Sequence, residues 1–215
     1  MRLTTLIASC FLFTTLFAQA PIQHFLPASY VSDFSSVDVA DNDQGFAVGS
    51  CGTVIKTSNG GQDWTVIDSP TDEDLLLIKC RPGTGCNQVF ATTNNTLYRS
   101  LNGGDSWISA DLPSGGTPKT ILFPDDQSVI VSRNTTTLPV SRNNGTSFEG
   151  VFTGHAPATP AVFVSPERGF FFSNMTEMIT TADGGDTWTS IYDHPRGIRG
   201  VDFMDENNGF MYDAD

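Results

Sequence analysis

The octapeptide Thr57-Ser58-Asn59-Gly60-Gly61-Gln62-Asp63-Trp64 limits what this chain can fold into more than any other feature, because it returns three times. The later copies are Ser100-Leu101-Asn102-Gly103-Gly104-Asp105-Ser106-Trp107, Ser141-Arg142-Asn143-Asn144-Gly145-Thr146-Ser147-Phe148 and Thr181-Ala182-Asp183-Gly184-Gly185-Asp186-Thr187-Trp188. Their closing aromatics lie 43, 41 and 40 residues apart. A second set of positions, Phe46, Phe90, Ile130, Phe170 and Phe210, keeps spacings of 44, 40, 40 and 40. Two independent markers with one period mean a single supersecondary unit used repeatedly, each copy burying its apolar face against the next.

Each copy reads as a tight turn between two short strands. Gly52 to Thr57 alternates and is β-branched, Trp64 to Ile67 follows the turn, and together they predict a hairpin. The third position is Asn59, Asn102, Asn143 or Asp183, whose short side chain accepts from backbone N–H groups two residues on. Positions four and five are Gly-Gly in three copies, as a positive φ requires, and Asn144 is the replacement best able to hold that conformation. The closing Trp64, Trp107, Phe148 or Trp188 is a large apolar plate to bury against a neighbour.

The shared pattern is Ser or Thr, any residue, Asp or Asn, any residue, Gly, any residue, then Ser, Thr or Asp before Trp or Phe. It resembles the Asp-box, also called the bacterial-neuraminidase repeat. The stretch from Gly45-Phe46-Ala47-Val48-Gly49 through Trp64 is similar to the repeat of the photosystem II assembly/stability factor family and its secreted bacterial relatives. Sortilin-type propellers and xyloglucanases use similar boxes. The resemblance covers residues 34–215 and implies an all-β fold, a β-propeller of four-stranded blades. It implies a structural role for Thr57, Asn59, Gly61, Asp63 and Trp64, and for Ser100, Asn102, Gly104, Ser106 and Trp107. The same holds for Ser141, Asn143, Gly145, Ser147 and Phe148, and for Thr181, Asp183, Gly185, Thr187 and Trp188. In these families the box lies on the outside of the blade, away from the ligand-binding face.

The strand signals divide the chain into blades over 34–69, 70–112, 113–154 and 155–195, with 196–215 beginning a fifth. Val201-Asp202-Phe203-Met204 and Asn208-Gly209-Phe210 mirror the opening of blade one, and the repeat stops in mid-unit at Asp215. Propellers close with roughly four to eight blades, so about 4.5 blades predict part of a ring of six to eight whose remainder lies C-terminal. Residues 1–20 read as a signal peptide, with a basic start, an apolar run over Thr4 to Phe17 and a small-x-small cleavage site at Ala18-Gln19-Ala20. The rival lipoprotein reading at Cys10 would leave the mostly apolar residues after it exposed. Residues 21–33 are either a leader or, over Phe25 to Val31, a ring-closing strand.

The signal implies a secreted or cell-surface location, the periplasm being the alternative, and no segment is long and apolar enough for a transmembrane helix. Twenty-four acidic against eleven basic residues, a net charge of −13, oppose binding to nucleic acid or anionic membranes. Cys80 and Cys86 flank a Pro/Gly loop and predict a disulfide worth about 2 kcal/mol, which suits an exported protein. Cys51 is left odd.

No cofactor is predicted. The spacing of Cys80 and Cys86 without a His pair is not that of a zinc site, and the acidic turn from Asp41 lacks a Glu at loop position twelve, where Gly52 stands. A sialidase would need an arginine cluster and a Tyr–Glu pair, but Arg81, Arg99, Arg133, Arg142, Arg168, Arg196 and Arg199 are scattered over the blades. His24, His155 and His194 lie in no nucleophile–base motif. No residue is therefore assigned to catalysis. The sequence points to a non-catalytic binding or scaffolding module for a protein or glycan ligand; the alternative is a secreted glycoside hydrolase, sialidase- or xyloglucanase-like, completed by a C-terminal part.

Overall fold

The computed structural model describes residues 33–40, 43–113, 115–173, 177–193, 198–205 and 208–213. The signal peptide, the Phe25 to Val31 segment, His24, His194 and Arg196 lie outside the described residues. Blade one consists of β1 (Phe34–Val39), β2 (Gly45–Gly49), β3 (Val54–Thr57) and β4 (Thr65–Val66), with a short 3-10 turn at Ser50–Gly52. Blade two comprises β5 (Leu77–Cys80), β6 (Val89–Thr92), β7 (Thr96–Ser100) and β8 (Ile108–Asp111). Blade three comprises β9 (Pro118–Leu122), β10 (Val129–Arg133), β11 (Thr137–Ser141) and β12 (Glu149–Phe152). Blade four comprises β13 (Pro157–Phe163), β14 (Gly169–Ser173), β15 (Glu177–Thr181) and β16 (Thr189–Asp193). β17 (Ile198–Phe203) and β18 (Gly209–Asp213) begin a fifth.

Every blade is an antiparallel meander in chain order, and β1, β5, β9 and β13 lie side by side around the axis of an open ring. This is a β-propeller. The second strands of blades one to four are buried along their whole length, those of blades two to four between a blade on each face. That burial explains why these strands read Gly-Phe-Ala-Val-Gly or Gly-Phe-Phe-Phe-Ser: a strand covered on both sides has no solvated face on which to place alternating polar residues. The fourth strands are mostly exposed edges.

The core lies between blades. One cluster joins Phe46, Val48 and Val54 of blade one to Ile78, Cys80 and Val89 of blade two, with Trp107 packed against it. A second joins Phe90 and Leu97 to Ile121 and Val129, with Phe148 against it. A third joins Ile130 and Leu138 to Phe171 and Ile179, with Trp188 against it. Each octapeptide aromatic after the first thus packs toward the blade before its own. The outer strands begin one residue after these aromatics, at Thr65, Ile108, Glu149 and Thr189, rather than on them. The rings of Trp107, Phe148 and Trp188 are turned into the interfaces.

Cys80 and Cys86 form a disulfide with Cα atoms 4.8 Å apart, closing the turn between β5 and β6. Cys51 is a free, exposed thiol.

Candidate functional site

The octapeptides fold alike. In each, the first side-chain hydroxyl accepts the N–H of position five: Thr57 from Gly61 at 2.9 Å, Ser100 from Gly104 at 2.8 Å, Ser141 from Gly145 at 2.8 Å and Thr181 from Gly185 at 2.9 Å. The same hydroxyl donates to the third side chain, Asn59, Asn102, Asn143 or Asp183, at 2.7–3.0 Å. That third side chain accepts the N–H of position seven (Asp63, Ser106, Ser147 or Thr187) at 2.9–3.0 Å. The acceptor therefore reaches four residues on, not two, because the two left-handed residues between them fold the chain back under it. Positions four and five have positive φ throughout, 67° and 81° at Gly60 and Gly61 and 55° and 76° at Asn144 and Gly145.

Three copies carry Asn at position three, and its Nδ2 donates to the side chain of position seven at 2.9 Å. Asp183 instead accepts from Thr187 Oγ1 at 2.5 Å. Burial pushes the Asp183 pKa up. The Thr187 hydroxyl and N–H, the Thr181 hydroxyl and the Asp186 N–H outweigh it and hold the pKa at about 2.

Position four joins each loop to the rest of the ring. Its N–H donates to the first turn of its own blade: Gly60 to Asp43 O, Gly103 to Asn87 O, Asn144 to Gln127 O and Gly184 to Glu167 O, at 2.6–2.9 Å. Its carbonyl accepts from a basic side chain of the preceding blade. Lys56 Nζ donates to Gly103 O at 2.7 Å, Arg99 to Asn144 O, and Arg142 Nη1 to Gly184 O at 2.9 Å. Arg142 also pairs with Asp186. Buried Arg81 makes a further tie, donating to Asp125 O and, at 2.9 Å, to Asn144 Oδ1, with its guanidinium 4.5 Å from the Phe123 ring centre. Burial lowers its pKa, against the nearby Asp126 and Asp125 carboxylates, which raise it. Arginines that are scattered in the sequence are thus used between blades. The available signal was a Lys or Arg directly before the octapeptide at Lys56 and Arg99; in blade three that place is Val140 and Arg142 substitutes from two residues on.

On the axis the first strands wall a cavity of about 480 Å³. Asp38, Lys79, Leu122 and Val162 hold one equivalent position in it, since they pair with Phe46, Phe90, Ile130 and Phe170. One flank is charged: Lys79 Nζ lies 2.8 Å from Asp38 Oδ1, and Asp38 Oδ2 accepts the Cys80 N–H at 2.8 Å. The other flank is aliphatic and aromatic, formed by Ile121, Leu122, Phe123 and Val162. The arrangement offers a shallow amphipathic seat on a rigid frame.

Among the described residues, no group of three His, Cys, Asp or Glu side chains is placed to hold a metal ion. His155 Nδ1 sits 2.8 Å from Glu177 Oε2, away from the axial cavity. Asp205 caps its own turn, accepting from the Asn208 N–H at 2.8 Å. No helix among the described residues is long and apolar enough to cross a membrane.

Meander blades around an axial cavity define the chain as a β-propeller protein, and solved structures agree. It is similar to YCF48 from Cyanidioschyzon merolae, with a TM-score of 0.57 and 18% identity over 84% of this chain and 62% of that one. YCF48 bound to D1 peptide gives 0.50 and 16%, over 87% and 78%. An ancestral GH74 enzyme gives 0.62 and 19%, over 78% and 25%. At such identities the likeness establishes the fold. The chain spans about 62% of the first YCF48 chain and a quarter of the GH74 enzyme. No protein-family model and no curated protein matches the sequence.

Proposed function

We propose that this chain is a non-catalytic propeller module, exported to the cell surface or beyond, that binds a protein ligand at the axial cavity. The observation that carries this reading is the cavity itself. Its charged Asp38–Lys79 flank faces an apolar Leu122–Val162 flank, and both are built on inner strands held by inter-blade packing. A segment of polypeptide with an apolar side chain beside a polar backbone satisfies both flanks; a glycan satisfies the charged one and leaves the aliphatic wall uncovered. That a structural neighbour is YCF48 bound to D1 peptide adds support at the level of the fold. The octapeptide loops, in our reading Asp-boxes, hold the blades together. The Cys80–Cys86 disulfide supports export, because disulfides persist in oxidising compartments.

The test is selection of peptides from a displayed library on the immobilised protein, followed by Leu122→Asp and Lys79→Glu variants. Selected peptides should lose about tenfold or more in affinity, ~1.4 kcal/mol, with either variant. Peptides that bind both variants as tightly as the parent would place the site elsewhere. Turnover of a chromogenic glycoside panel would favour the hydrolase alternative.

A further inference from the structure

Asn94-Asn95-Thr96 and Asn134-Thr135-Thr136 each fit the acceptor pattern for an N-linked glycan, Asn followed by any residue but Pro and then Thr. They lie 40 residues apart and hold one place in the repeat, the turn from the second strand to the third. That turn joins β6 to β7 in blade two and β10 to β11 in blade three. The same place in blade four has Asn174-Met175-Thr176, which lies outside the described residues. A fourth match, Asn144-Gly145-Thr146, falls inside an octapeptide. Chance scatters such triplets along a chain rich in Asn and Thr; here three of the four share one turn.

Both described turns present the Asn to solvent. Asn94 and Asn95 are exposed at the tip of theirs, and Thr93 closes it: Thr93 Oγ1 accepts the Thr96 N–H at 3.2 Å, and the Thr93 N–H donates to Thr96 O at 3.0 Å. Asn134 is exposed, and so is Thr136. Asn134 Oδ1 accepts the Thr117 N–H at 2.8 Å, a bond that occupies the carbonyl oxygen and not the Nδ2 to which a sugar attaches. Blades two and three have a packed neighbour on each side, so this exposure does not come from the ends of the arc. Asn144 is the opposite case. It is half-buried between blades two and three, its Oδ1 accepts from Arg81 at 2.9 Å, and its Nδ2 donates to Gln88 Oε1 at 3.2 Å.

We propose that Asn94 and Asn134 are acceptor sites for N-linked glycans and that Asn144 is not. The proposal rests on the export reading, because the modification is made on exported chains. In the transfer, Asn Nδ2 bonds to the anomeric carbon of an oligosaccharide carried on a polyprenyl pyrophosphate. The bond from that carbon to the pyrophosphate oxygen breaks, the lipid pyrophosphate leaves, and Nδ2 gives up one proton. The sites also fix which face the glycans cover. First strands start beside these turns, since Leu77 pairs with Thr92 and Pro118 with Arg133. The axial cavity is lined from the other ends of the same strands, by residues 79–82 and 120–123. Glycans at Asn94 and Asn134 therefore shield the face opposite the cavity and leave the axial seat open.

The test is expression in a eukaryotic secretory host, once with the chain's own leader and once with the host's, followed by glycosidase release and peptide mass mapping. Release leaves Asp wherever a glycan stood. Secreted protein should carry glycan at Asn94 and Asn134 in most molecules and at Asn144 in almost none. Asn94→Gln and Asn134→Gln should each remove one glycan from the electrophoretic ladder. Thr96→Ala and Thr136→Ala, which keep the Asn, repeat the experiment should either Gln variant fail to be secreted. Secreted protein unmodified at Asn94 and Asn134, or modified at Asn144 as fully as at those two, would overturn the proposal. If only the host's leader exports the chain and both sites are then modified, the export reading falls and the acceptor assignment stands.

Discussion

The first and second octapeptides differ little inside the loop and greatly outside it. Thr57 accepts from Gly61 at 2.9 Å and Ser100 from Gly104 at 2.8 Å; Asn59 accepts from Asp63 at 2.9 Å and Asn102 from Ser106 at 3.0 Å. Yet Gly103 and Gly104 are buried while Gly60 is exposed. A Cβ at Gly104 would lie 2.7 Å from Ile67 of blade one, whereas at Gly61 it would meet only its own Trp64, at 3.7 Å. Lys56 ties the Gly103 carbonyl to blade one. Trp107 packs into an inter-blade cluster, and Trp64 belongs to none among the described residues. The turn is thus a local structure that forms without a neighbour, and the neighbour makes it part of the core.

Paired substitutions can break that comparison. Trp107→Ala should cost about 3–5 kcal/mol, because it empties an inter-blade contact, and Trp64→Ala about 1 kcal/mol. Urea denaturation of both variants checks this, and equal losses would remove the packing argument. Gly104→Ala should cost about 2–5 kcal/mol, combining the strain of positive φ with overpacking on Ile67 and Phe46. Gly61→Ala should cost only the strain, about 1–2 kcal/mol. Arg99→Met, which deletes the donor to the Asn144 carbonyl, should cost about 1–3 kcal/mol. A neutral result in thermal melts would make that tie dispensable.

The smallest expected effect sharpens the comparison between the fourth loop and the rest. Asp183 titrates; Asn59, Asn102 and Asn143 in the same place do not. Its folded pKa of about 2 lies below the ordinary 3.8. The stability it contributes is therefore fully present above about pH 4 and is lost as pH falls through about 2. Thermal melts across that window should show a steeper acid decline for the parent than for Asp183→Asn, which restores the side-chain pairing of the other three loops. The difference is small because the side chain is exposed to solvent.

The blades were legible because each is a local meander whose turns are marked by Gly, Asn and Asp. Asn144 was readable as a left-handed residue for the same reason, and φ is 55° there. The Cys80–Cys86 bridge was legible because so short a loop leaves few other partners in reach. The inter-blade ties were not. Lys56 and Arg99 precede the octapeptide, Arg142 lies within it, and blade four has Thr180 and Ala182 at those places, so no constant spacing marks the donor. The axial cavity was hidden for a related reason. Its four equivalent residues are Asp38, Lys79, Leu122 and Val162, which share neither charge nor size.

The chain's order of residues is enough to set the repeat, the strand order within a blade and the conformation of each octapeptide, since all of these depend on φ preferences and hydrogen bonds that close within a few residues. Where the blades meet is decided only in three dimensions. Phe46 and Phe210 occupy the same place in the repeat, and one is fully buried while the other is 71% exposed. Among the described residues a following blade stands in front of the Phe46 ring and none in front of the Phe210 ring. Burial depends on the neighbour, and the pattern within a single repeat contains no record of it.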